Sequence, residues 1–305
     1  MKVMVTGGAG FVGSHIVDKF RDQGIDVCVY DLCEPTQRKD VDFVQGSVLD
    51  LEALTKAAAG VDYIIHTAAV ADVKDVLADP MKADAVNVRG TVHVLEAARR
   101  SNRVKRVVYS STTWVYSDAE PREVTEDTAL GAPSHFYTAT KIAGEHYCKS
   151  YSKLYGLDVT ILRYGIPYGP RARPGAVVPI FVDKAMRKEP ITLEGDGLQF
   201  RKFVYVEDLA EGHVAALKPV AANKIYNLDG VEKISIKQIA ESVCGHFGDV
   251  VIEYKPARPG DFSGKDVSSV RAREELGWSA STPFEVGLGR YIDWYKSRHK
   301  NPQHQ

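Results

Sequence analysis

Cysteine is scarce in this sequence, and the few cysteines form no disulfide or metal-binding pattern. The 305 residues include 4 cysteines, Cys28, Cys33, Cys148 and Cys244, with no Cys-x-x-Cys pair and no set of cysteines and histidines at zinc-ligand spacing. Isolated cysteines of this kind are typical of free thiols in a reducing compartment. We therefore expect neither a bound metal nor a disulfide framework.

An excess of charge of one sign is also missing, and so is a long hydrophobic run. The 39 basic and 40 acidic residues give a formal net charge of −1, which offers no attraction for nucleic acid or acidic lipid. Apolar stretches such as 61–71 are interrupted by Asp, His or Thr well before the roughly 20 residues that a membrane helix requires. A glycine motif follows Met1 so closely that we expect no leader peptide. These features predict a soluble, cytoplasmic protein that binds neither nucleic acid nor membrane.

Short apolar runs alternate with helical patterns through the first half of the sequence. The predicted strands are Lys2–Thr6, Ile25–Asp31, Val41–Gln45, Tyr63–Thr67, Val104–Ser110 and Asp158–Arg163, and the helical patterns between them include Phe11–Gln23, Val86–Arg100 and Tyr137–Tyr155. Because right-handed crossovers need a helix to return the chain, this order predicts an α/β fold with a doubly wound parallel sheet.

The composition of the sequence changes at residues 164–175, a stretch rich in glycine and proline. Such a stretch forms no regular element. It predicts a boundary near residue 165, between a sheet domain over residues 1–165 and a smaller α/β carboxy-terminal domain over 166–305. Predicted helices in the second part are Val178–Arg187, Ile236–Phe247 and Pro283–Ser297.

A glycine-rich turn directly follows the first predicted strand and opens the first helix. In the segment 6–13, Gly7 allows the tight turn, Gly10 lets the backbone approach a pyrophosphate and Gly13 lets the helix pack closely on the strand. Phe11 and Val12 begin the helix, whose first amides then face the diphosphate. A glycine triplet alone also fits an ordinary strand-to-helix turn, so the dinucleotide interpretation depends on its context.

Three later strand ends carry matching signals for a dinucleotide. Asp31 lies 18 residues past Gly13, where a carboxylate accepts hydrogen bonds from the adenosine ribose and repels a 2′-phosphate, which favours NAD over NADP. Arg38 and Lys39 lie close enough to weaken that preference. The next strand end offers Val48 and Asp50, with Asp50 expected at the adenine amino group, and the following one offers the small residues Ala68 and Ala69.

A hydroxyl-rich strand end and a Tyr-x-x-x-Lys helix form the candidate catalytic set. The segment 110–116 contains Thr112, and Tyr137 and Lys141 follow on the next helical pattern. Residues four apart share one face of a helix, so we expect the Lys141 ammonium near the phenol oxygen. A phenol has an ordinary pKa of about 10, and nearby positive charge stabilises its phenolate.

Together these motifs resemble the extended short-chain dehydrogenase/reductases, specifically the nucleotide-sugar epimerase/dehydratase family. The resemblance covers nearly the whole chain and is carried by residues 6–13, Asp31, Asp50, 66–69, Asn87, 110–116, Tyr137, Lys141 and 258–261. It implies a Rossmann fold over 1–165, with a return segment near 203–230, that holds NAD tightly. It further implies a domain within 166–305 that binds a nucleoside-diphosphate sugar, and a homodimer.

The resemblance also implies individual roles. Thr112 matches the residue that hydrogen-bonds the sugar hydroxyl undergoing oxidation, Tyr137 matches the base, and Lys141 matches the residue that binds the nicotinamide ribose and lowers the phenol pKa. Asn87 matches a structural asparagine. Arg201 and Arg258 match arginines that clasp the substrate diphosphate, as their guanidinium geometry suits. Further substrate contacts are expected at Tyr164, Val178 and Asp261.

The reaction depends on the acid and base groups around a 4-keto intermediate. Relatives that eliminate water carry Asp-Glu after the catalytic threonine, and decarboxylating relatives carry a glutamate there, whereas this chain has Thr113 and Trp114. We therefore predict a 4-epimerase. A dehydratase with an atypical acid/base pair and a non-catalytic NAD- or nucleotide-sugar-binding regulator remain alternatives. The substrate is expected to be a UDP-hexose or, given Arg171 and Arg173, a UDP-hexuronate such as UDP-glucuronate.

Overall fold

The structure of the protein, a computed structural model, describes residues 1–256 and 264–299. Its strands are β1 (Lys2–Thr6), β2 (Asp26–Asp31), β3 (Asp42–Gln45), β4 (Tyr63–His66), β5 (Arg106–Thr112), β6 (Glu123–Val124), β7 (Asp158–Tyr164), β8 (Ile166–Tyr168), β9 (Ile191–Glu194), β10 (Phe200–Tyr205), β11 (Lys224–Leu228), β12 (Lys233–Ser235), β13 (Ile252–Lys255) and β14 (Asp266–Val267). Its α-helices are α1 (Phe11–Asp22), α2 (Leu51–Ala58), α3 (Val73–Ala78), α4 (Pro80–Asp84), α5 (Gly90–Arg100), α6 (Phe136–Tyr155), α7 (Val177–Met186), α8 (Val206–Ala215), α9 (Ile236–Phe247) and α10 (Phe284–His299).

A seven-stranded sheet in the order β11-β7-β5-β4-β1-β2-β3 forms the centre of the first domain. Every neighbouring pair in it is parallel, and the predicted α/β, Rossmann-like fold is confirmed. The strand order reverses between β1 and β4, and in such sheets ligands bind at this switch point, outside the carboxyl ends of the strands. The fold therefore places a binding crevice where the glycine turn leaves β1.

The predicted element bounds differ from the observed ones by one or two residues, with one larger departure in the helix expected over 86–100. There the chain makes a π-helical turn over Ala85–Arg89 before α5 begins at Gly90. Asn87 lies in this turn and is buried. A local widening of the helix of this kind often occurs at functional sites.

The chain returns to the first domain after residue 203. Strand β11 pairs with β7 at the edge of the sheet, and Leu209 and Ala210 of α8 pack with Ile16 and Phe20 of α1 in one buried cluster. This cluster covers one face of the sheet, while α2, α5 and α6 cover the other.

The second domain is smaller and is built around its own apolar cluster. A three-stranded sheet, β12-β10-β8, and the β13-β9 pair lie against α7, α9 and α10. Aromatic rings fill its centre, where Tyr168 contacts Phe203, Tyr205 and Phe284 at centroid distances of 5.0–6.2 Å. The first strand of this domain, β8, follows the carboxyl end of β7 after a single intervening residue.

None of the helices in residues 1–256 and 264–299 has the length and apolar character needed to span a bilayer. Within the same ranges, no group of three or more His, Cys, Asp or Glu side chains is arranged to hold a metal ion.

Candidate functional site

A cavity of about 640 Å³ opens along the carboxyl ends of the central strands. Its size is that of a small-molecule or cofactor site. Thirteen of the predicted site residues line it, namely Gly7, Gly10, Phe11, Val12, Gly13, Asp31, Val48, Ala68, Ala69, Thr112, Tyr137, Lys141 and Tyr164. The cofactor and catalytic residues predicted from separate motifs thus share one space.

The glycine turn is shaped as a cradle in which side chains have no room. Gly7 has φ +73°, and a Cβ added there would lie 2.8 Å from the Ala68 backbone. A Cβ on Gly13 would lie 2.1 Å from the Gly7 carbonyl oxygen. Helix α1 begins at Phe11 with Gly10 as its N-cap, so backbone amides rather than a capping side chain face the cavity. This geometry fits a dinucleotide diphosphate, which backbone amides at a helix start bind well.

Asp31 ends β2 and lines the adenosine end of the cavity. Its carboxylate accepts hydrogen bonds from the Ala9 amide at 3.0 Å and the Cys33 amide at 3.2 Å. A carboxylate has about four lone-pair sites, so acceptor capacity is left for a ribose. Arg38 is held by Asp22 at 2.7 Å and Asp40 at 2.9 Å, so its charge is engaged by carboxylates rather than offered to a 2′-phosphate. NAD therefore fits this end better than NADP.

Three of the predicted site residues lie outside the cavity lining. The exposed Asp50 is the N-cap of α2, where it accepts from the Ala53 amide at 3.0 Å, and Val178 is 1% exposed within the apolar core of the second domain. Neither residue lines the cavity. Arg201 lies on β10, also outside the lining, and donates to the Phe200 carbonyl oxygen at 2.7 Å. The remaining two predicted residues, Arg258 and Asp261, fall outside the described residues.

The reactive end of the cavity brings Thr112, Tyr137 and Lys141 together. Thr112 is the last residue of β5, and its hydroxyl oxygen accepts from the Trp114 amide at 3.2 Å. Tyr137 and Lys141 lie on successive turns of α6, and the Lys141 Nζ is 5.9 Å from the centroid of the Tyr137 ring. Because the lysine is buried, its pKa is lowered to about 8.

Lys141 was expected to place its ammonium near the Tyr137 phenol oxygen, but in the structure the ammonium bonds a backbone carbonyl of β5. The Lys141 ammonium donates to the Ser110 carbonyl oxygen at 3.0 Å and lies 5.2 Å from the centroid of the Tyr109 ring. Burial raises the pKa of Tyr137, and the charge that opposes this rise is that of Arg173. The phenol is therefore protonated at neutral pH before other groups enter the cavity.

The start of α6 is held in place by groups from two segments. His135 is its N-cap and accepts from the Tyr137 amide at 3.2 Å. Asn87 bonds both the amide and the carbonyl of Val70, at 2.7 and 3.0 Å, and donates to Thr140 at 3.1 Å. Asn87 thus ties the π-helical turn to the cavity wall and to α6, as its predicted structural role requires.

The cavity lining also includes Arg173, which the sequence associated with a carboxylated sugar, and several residues that were not predicted as contacts. Trp114, Arg173 and Ser110 of β5 line it, and so do Val73, Lys82 and Val86 of the α3–α5 region. Ser110 belongs to the hydroxyl cluster and was recognisable there. Val73, Lys82 and Val86 belong to no recognisable sequence motif, because only the packing of short helices brings them to the cavity. Arg171, in contrast, is turned away from the cavity and is paired with Asp18 at 2.5 Å.

Comparison with known proteins finds relatives that align with nearly the whole chain. The model of the NAD dependent epimerase/dehydratase family matches residues 3–229. A putative UDP-glucose 4-epimerase of Methanocaldococcus jannaschii is 31% identical, over 98% of this chain and 99% of that protein. A UDP-glucuronate 4-epimerase of Thermodesulfobacterium geofontis is 31% identical, over 96% of this chain and 95% of that protein.

A solved structure with the same fold comes from Thermus thermophilus. It is a UDP-glucose 4-epimerase in complex with NAD, 34% identical, with a TM-score of 0.88 over 97% of this chain and 99% of that one.

Proposed function

We propose that this chain, which belongs to the NAD-dependent epimerase/dehydratase family, is a cytoplasmic 4-epimerase of nucleoside-diphosphate sugars. The chain is an NAD-dependent enzyme by that membership, and the relatives named above act on UDP-sugars. The reaction would oxidise the sugar at C4, let the 4-keto sugar turn, and reduce it from the other face. Four free cysteines agree with a reducing compartment.

One observation supports epimerisation over the other reactions of the family. Among the described residues that line the cavity, Asp31 is the sole carboxylate, and it lies at the adenosine end. Beside Thr112 the cavity wall is formed by Trp114, whose ring packs edge to face against His135 at a centroid distance of 5.8 Å. Elimination of water and decarboxylation both need an acid or base beyond the tyrosine. Epimerisation requires one proton acceptor that also returns the proton.

Tyr137 and Thr112 fit the two proton-handling tasks. The Thr112 hydroxyl, whose oxygen is held by the Trp114 amide, donates to the sugar oxygen and orients it. The Tyr137 oxygen takes the hydroxyl proton during oxidation and returns it during reduction. NAD, when bound, supplies the hydride acceptor and donor and brings a positive charge that favours the phenolate.

Lys141 serves this chemistry as a buried cation rather than as a direct partner of the phenol. Its contact with the Ser110 carbonyl fixes the ammonium in the cavity wall, one helical turn from Tyr137, where its charge favours an anion. Its pKa of about 8 means that this charge is lost as the pH rises above 8.

The test of the proposed function is a product analysis combined with one substitution. Purified protein is incubated with UDP-, GDP- and dTDP-sugars, and products are identified by mass and NMR. We expect interconversion of two sugars of equal mass without net NAD consumption. Tyr137→Phe should keep bound NAD and lower kcat by about 10²–10⁴-fold, since only the proton acceptor is removed.

Tyr254→Phe on β13 is the matched control, since that side chain is 55% exposed, does not line the cavity and lies outside the proposed interface. It should retain full activity. A product lighter by one water or by carbon dioxide would instead identify a dehydratase or a decarboxylase. Full turnover in the Tyr137→Phe variant would rule out the proposed base.

A UDP-hexuronate is the second candidate substrate, and Arg173 is the observation that favours it. This guanidinium lines the sugar end of the cavity and its charge reaches Tyr137. Its ion pair with Asp72 is long, at 3.7 Å, so a substrate carboxylate could compete for it. A guanidinium binds a carboxylate through two parallel hydrogen bonds.

We further propose that two copies of the chain associate through α6 and the helices beside it. Tyr147, Leu154 and Tyr155 of α6 are 41%, 71% and 55% exposed, and Leu77 and Met81 of the neighbouring α3 and α4 are 66% and 77% exposed. Residues 147 and 154 are seven apart and share one helix face. Exposed apolar residues grouped in this way are typical of a protein interface.

A further inference from the structure

A fully buried ion pair lies directly behind the reactive residues. Arg163 of β7 and Glu145 of α6 are 2% and 1% exposed. The guanidinium binds the carboxylate through two parallel bonds, Nε to Oε1 at 2.8 Å and Nη2 to Oε2 at 2.6 Å. Neither residue lines the cavity, so the proposed chemistry has no direct use for them.

The pair is connected to the strand that carries the catalytic threonine. The Ser111 hydroxyl donates to Glu145 Oε1 at 2.6 Å. Arg163 Nη1 donates to the Tyr116 hydroxyl at 2.7 Å, which in turn donates to Asn227 at 2.9 Å. Each of these polar groups therefore has a partner, and the network joins β5, β7, β11 and α6.

Ser111 and both members of the pair each lie next to, or one helical turn from, a residue that lines the cavity. Ser111 precedes Thr112 on β5, Arg163 precedes Tyr164 on β7, and Glu145 lies one helical turn beyond Lys141 on the same face of α6. A displacement of the pair would thus move the Thr112 hydroxyl, the Tyr164 ring and the Lys141 ammonium together.

Stability alone does not account for such a pair. Taking two charges out of water costs several kcal/mol per ion, and apolar residues of similar volume are often as stable or more so. The bonds to Ser111 and Tyr116 offset that cost without exceeding what an apolar core would provide. The pair therefore calls for a role that depends on its charge or its geometry.

The titratable groups around Lys141 indicate what that role is. Burial lowers the Lys141 pKa, and the groups that oppose this are Cys148 and then Glu145 of α6, which both raise it. Cys148 remains a neutral thiol because burial raises its own pKa. His66 of β4, which also faces Lys141, has its pKa lowered to about 3 and is uncharged at neutral pH. Tyr109 of β5 is buried with a raised pKa and stays neutral.

We propose that Glu145, held by Arg163, is a positioning residue for the reaction: it fixes the Ser111–Thr112 strand end against α6 and supplies a buried negative charge one helical turn from Lys141. The role rests on the proposed function, since it assumes that a charged Lys141 supports proton transfer at Tyr137. Arg163 keeps the carboxylate in place and ionised. Neither residue touches the substrate or cofactor.

The test is the titration of Lys141, which needs neither substrate nor turnover. Lysine labelled with ¹³C at Cε is followed by NMR, and the Lys141 signal is assigned by its loss in Lys141→Met. In Glu145→Gln the amide oxygen still accepts from Ser111 but the charge is gone. We expect the Lys141 pKa to fall from about 8 by about 1 pH unit or more.

The pH profile of kcat should follow the same shift. Its alkaline limb moves to lower pH in Glu145→Gln, so that the loss of turnover relative to the unaltered protein is about 10-fold larger at about pH 8.5 than at about pH 6.5. Glu211→Gln is the matched control: Glu211 pairs with Lys19 at 2.6 Å on the half-exposed surface, and its removal should change neither the Lys141 signal nor the profile.

A second variant covers the case in which Glu145→Gln does not fold, because it leaves Arg163 buried and unpaired. Glu145→Leu with Arg163→Met replaces the pair by apolar residues, which buried pairs usually tolerate, and kcat at about pH 6.5 should fall because the Ser111 hydroxyl loses its acceptor. An unchanged Lys141 pKa in folded Glu145→Gln, or full kcat in the folded double variant, would overturn the proposal. Should Tyr137→Phe retain turnover while the Lys141 pKa falls as expected, the proposed base would fail and the charge coupling would stand.

Discussion

Two arginines that are separated by a single residue have different environments in this protein. Arg171, with φ +68°, bonds His15 and Asp18 of α1 and so ties the segment after β8 to the helix of the glycine turn. Arg173 lines the cavity, and its charge acts on Tyr137. Of the two arginines that indicated a carboxylated sugar, Arg173 alone lines the cavity.

Replacement of Arg173 tests that assignment. In Arg173→Gln, we expect kcat/KM for UDP-glucuronate to fall about 10–100-fold, because a charge-assisted hydrogen bond contributes about 1.5–3 kcal/mol. The value for UDP-glucose should fall less, because that sugar loses only the effect of the Arg173 charge on the Tyr137 phenol. Steady-state assays with both sugars measure the two ratios. Arg187→Gln, a surface arginine paired with Asp183, is the control, and an equal loss on both sugars would contradict a carboxylate-binding role.

At the scale of an element, the turn between β1 and α1 combines cofactor binding with close packing. Gly7 supplies the positive φ of the turn, and Gly13 meets the Gly7 carbonyl where α1 crosses the turn. The same contact that brings helix and strand together keeps the backbone amides facing the cavity. Stability and NAD affinity therefore depend on one contact.

Gly13→Ala should weaken both properties. The added Cβ, 2.1 Å from the Gly7 carbonyl oxygen, forces the helix away from the turn, so we expect a loss of about 1–3 kcal/mol in the free energy of unfolding and a rise in the NAD Kd of about 10-fold or more. Denaturant unfolding and calorimetric titration with NAD measure the two effects.

Gly245→Ala in α9 is the matched control for Gly13→Ala. A Cβ there meets nothing within 4 Å, and alanine is favoured over glycine in a helix by about 0.5–1 kcal/mol. The control should be slightly more stable and bind NAD normally. If Gly13→Ala bound NAD with unchanged affinity, the cradle would not be the diphosphate site.

At the scale of the whole molecule, α6 has one face toward the chemistry and another toward solvent. Tyr137, Lys141 and Glu145 face the sheet, while Tyr147, Leu154 and Tyr155 form the exposed apolar side. An interface on that side would hold the helix from outside as the Arg163–Glu145 pair holds it from within. Association and activity are then connected through one helix.

Leu154→Arg should separate the proposed dimer. A charge in the centre of an apolar interface is left without a partner on association, at a cost of several kcal/mol. Size-exclusion chromatography with light scattering should show a mass near 67 kDa, twice the 33.6 kDa of one chain, for the unaltered protein, and that of one chain for the variant. Val251→Arg, at an exposed valine of the second domain, should stay dimeric. A monomer for the unaltered protein would contradict the interface.

The features that the sequence by itself determined are those whose geometry is local. The glycine turn, the Tyr-x-x-x-Lys spacing and the alternation of strands and helices each follow from backbone sterics or from a helical period, and the sheet fold predicted from that alternation is confirmed. Parallel strands share one edge at their carboxyl ends, so the motifs at those ends also had to meet. The cavity at the switch point therefore follows from the chain order alone.

The tertiary structure alone decided which polar groups pair with each other. Asp50 caps its own helix instead of lining the cavity, Val178 is buried in the second domain, and Lys141 bonds a carbonyl of β5 rather than the phenol. Glu145 and Arg163 are 18 residues apart on different elements, and no spacing rule links them. A charged side chain is stable wherever a partner and sufficient burial coincide, and both depend on contacts between segments that are distant along the chain.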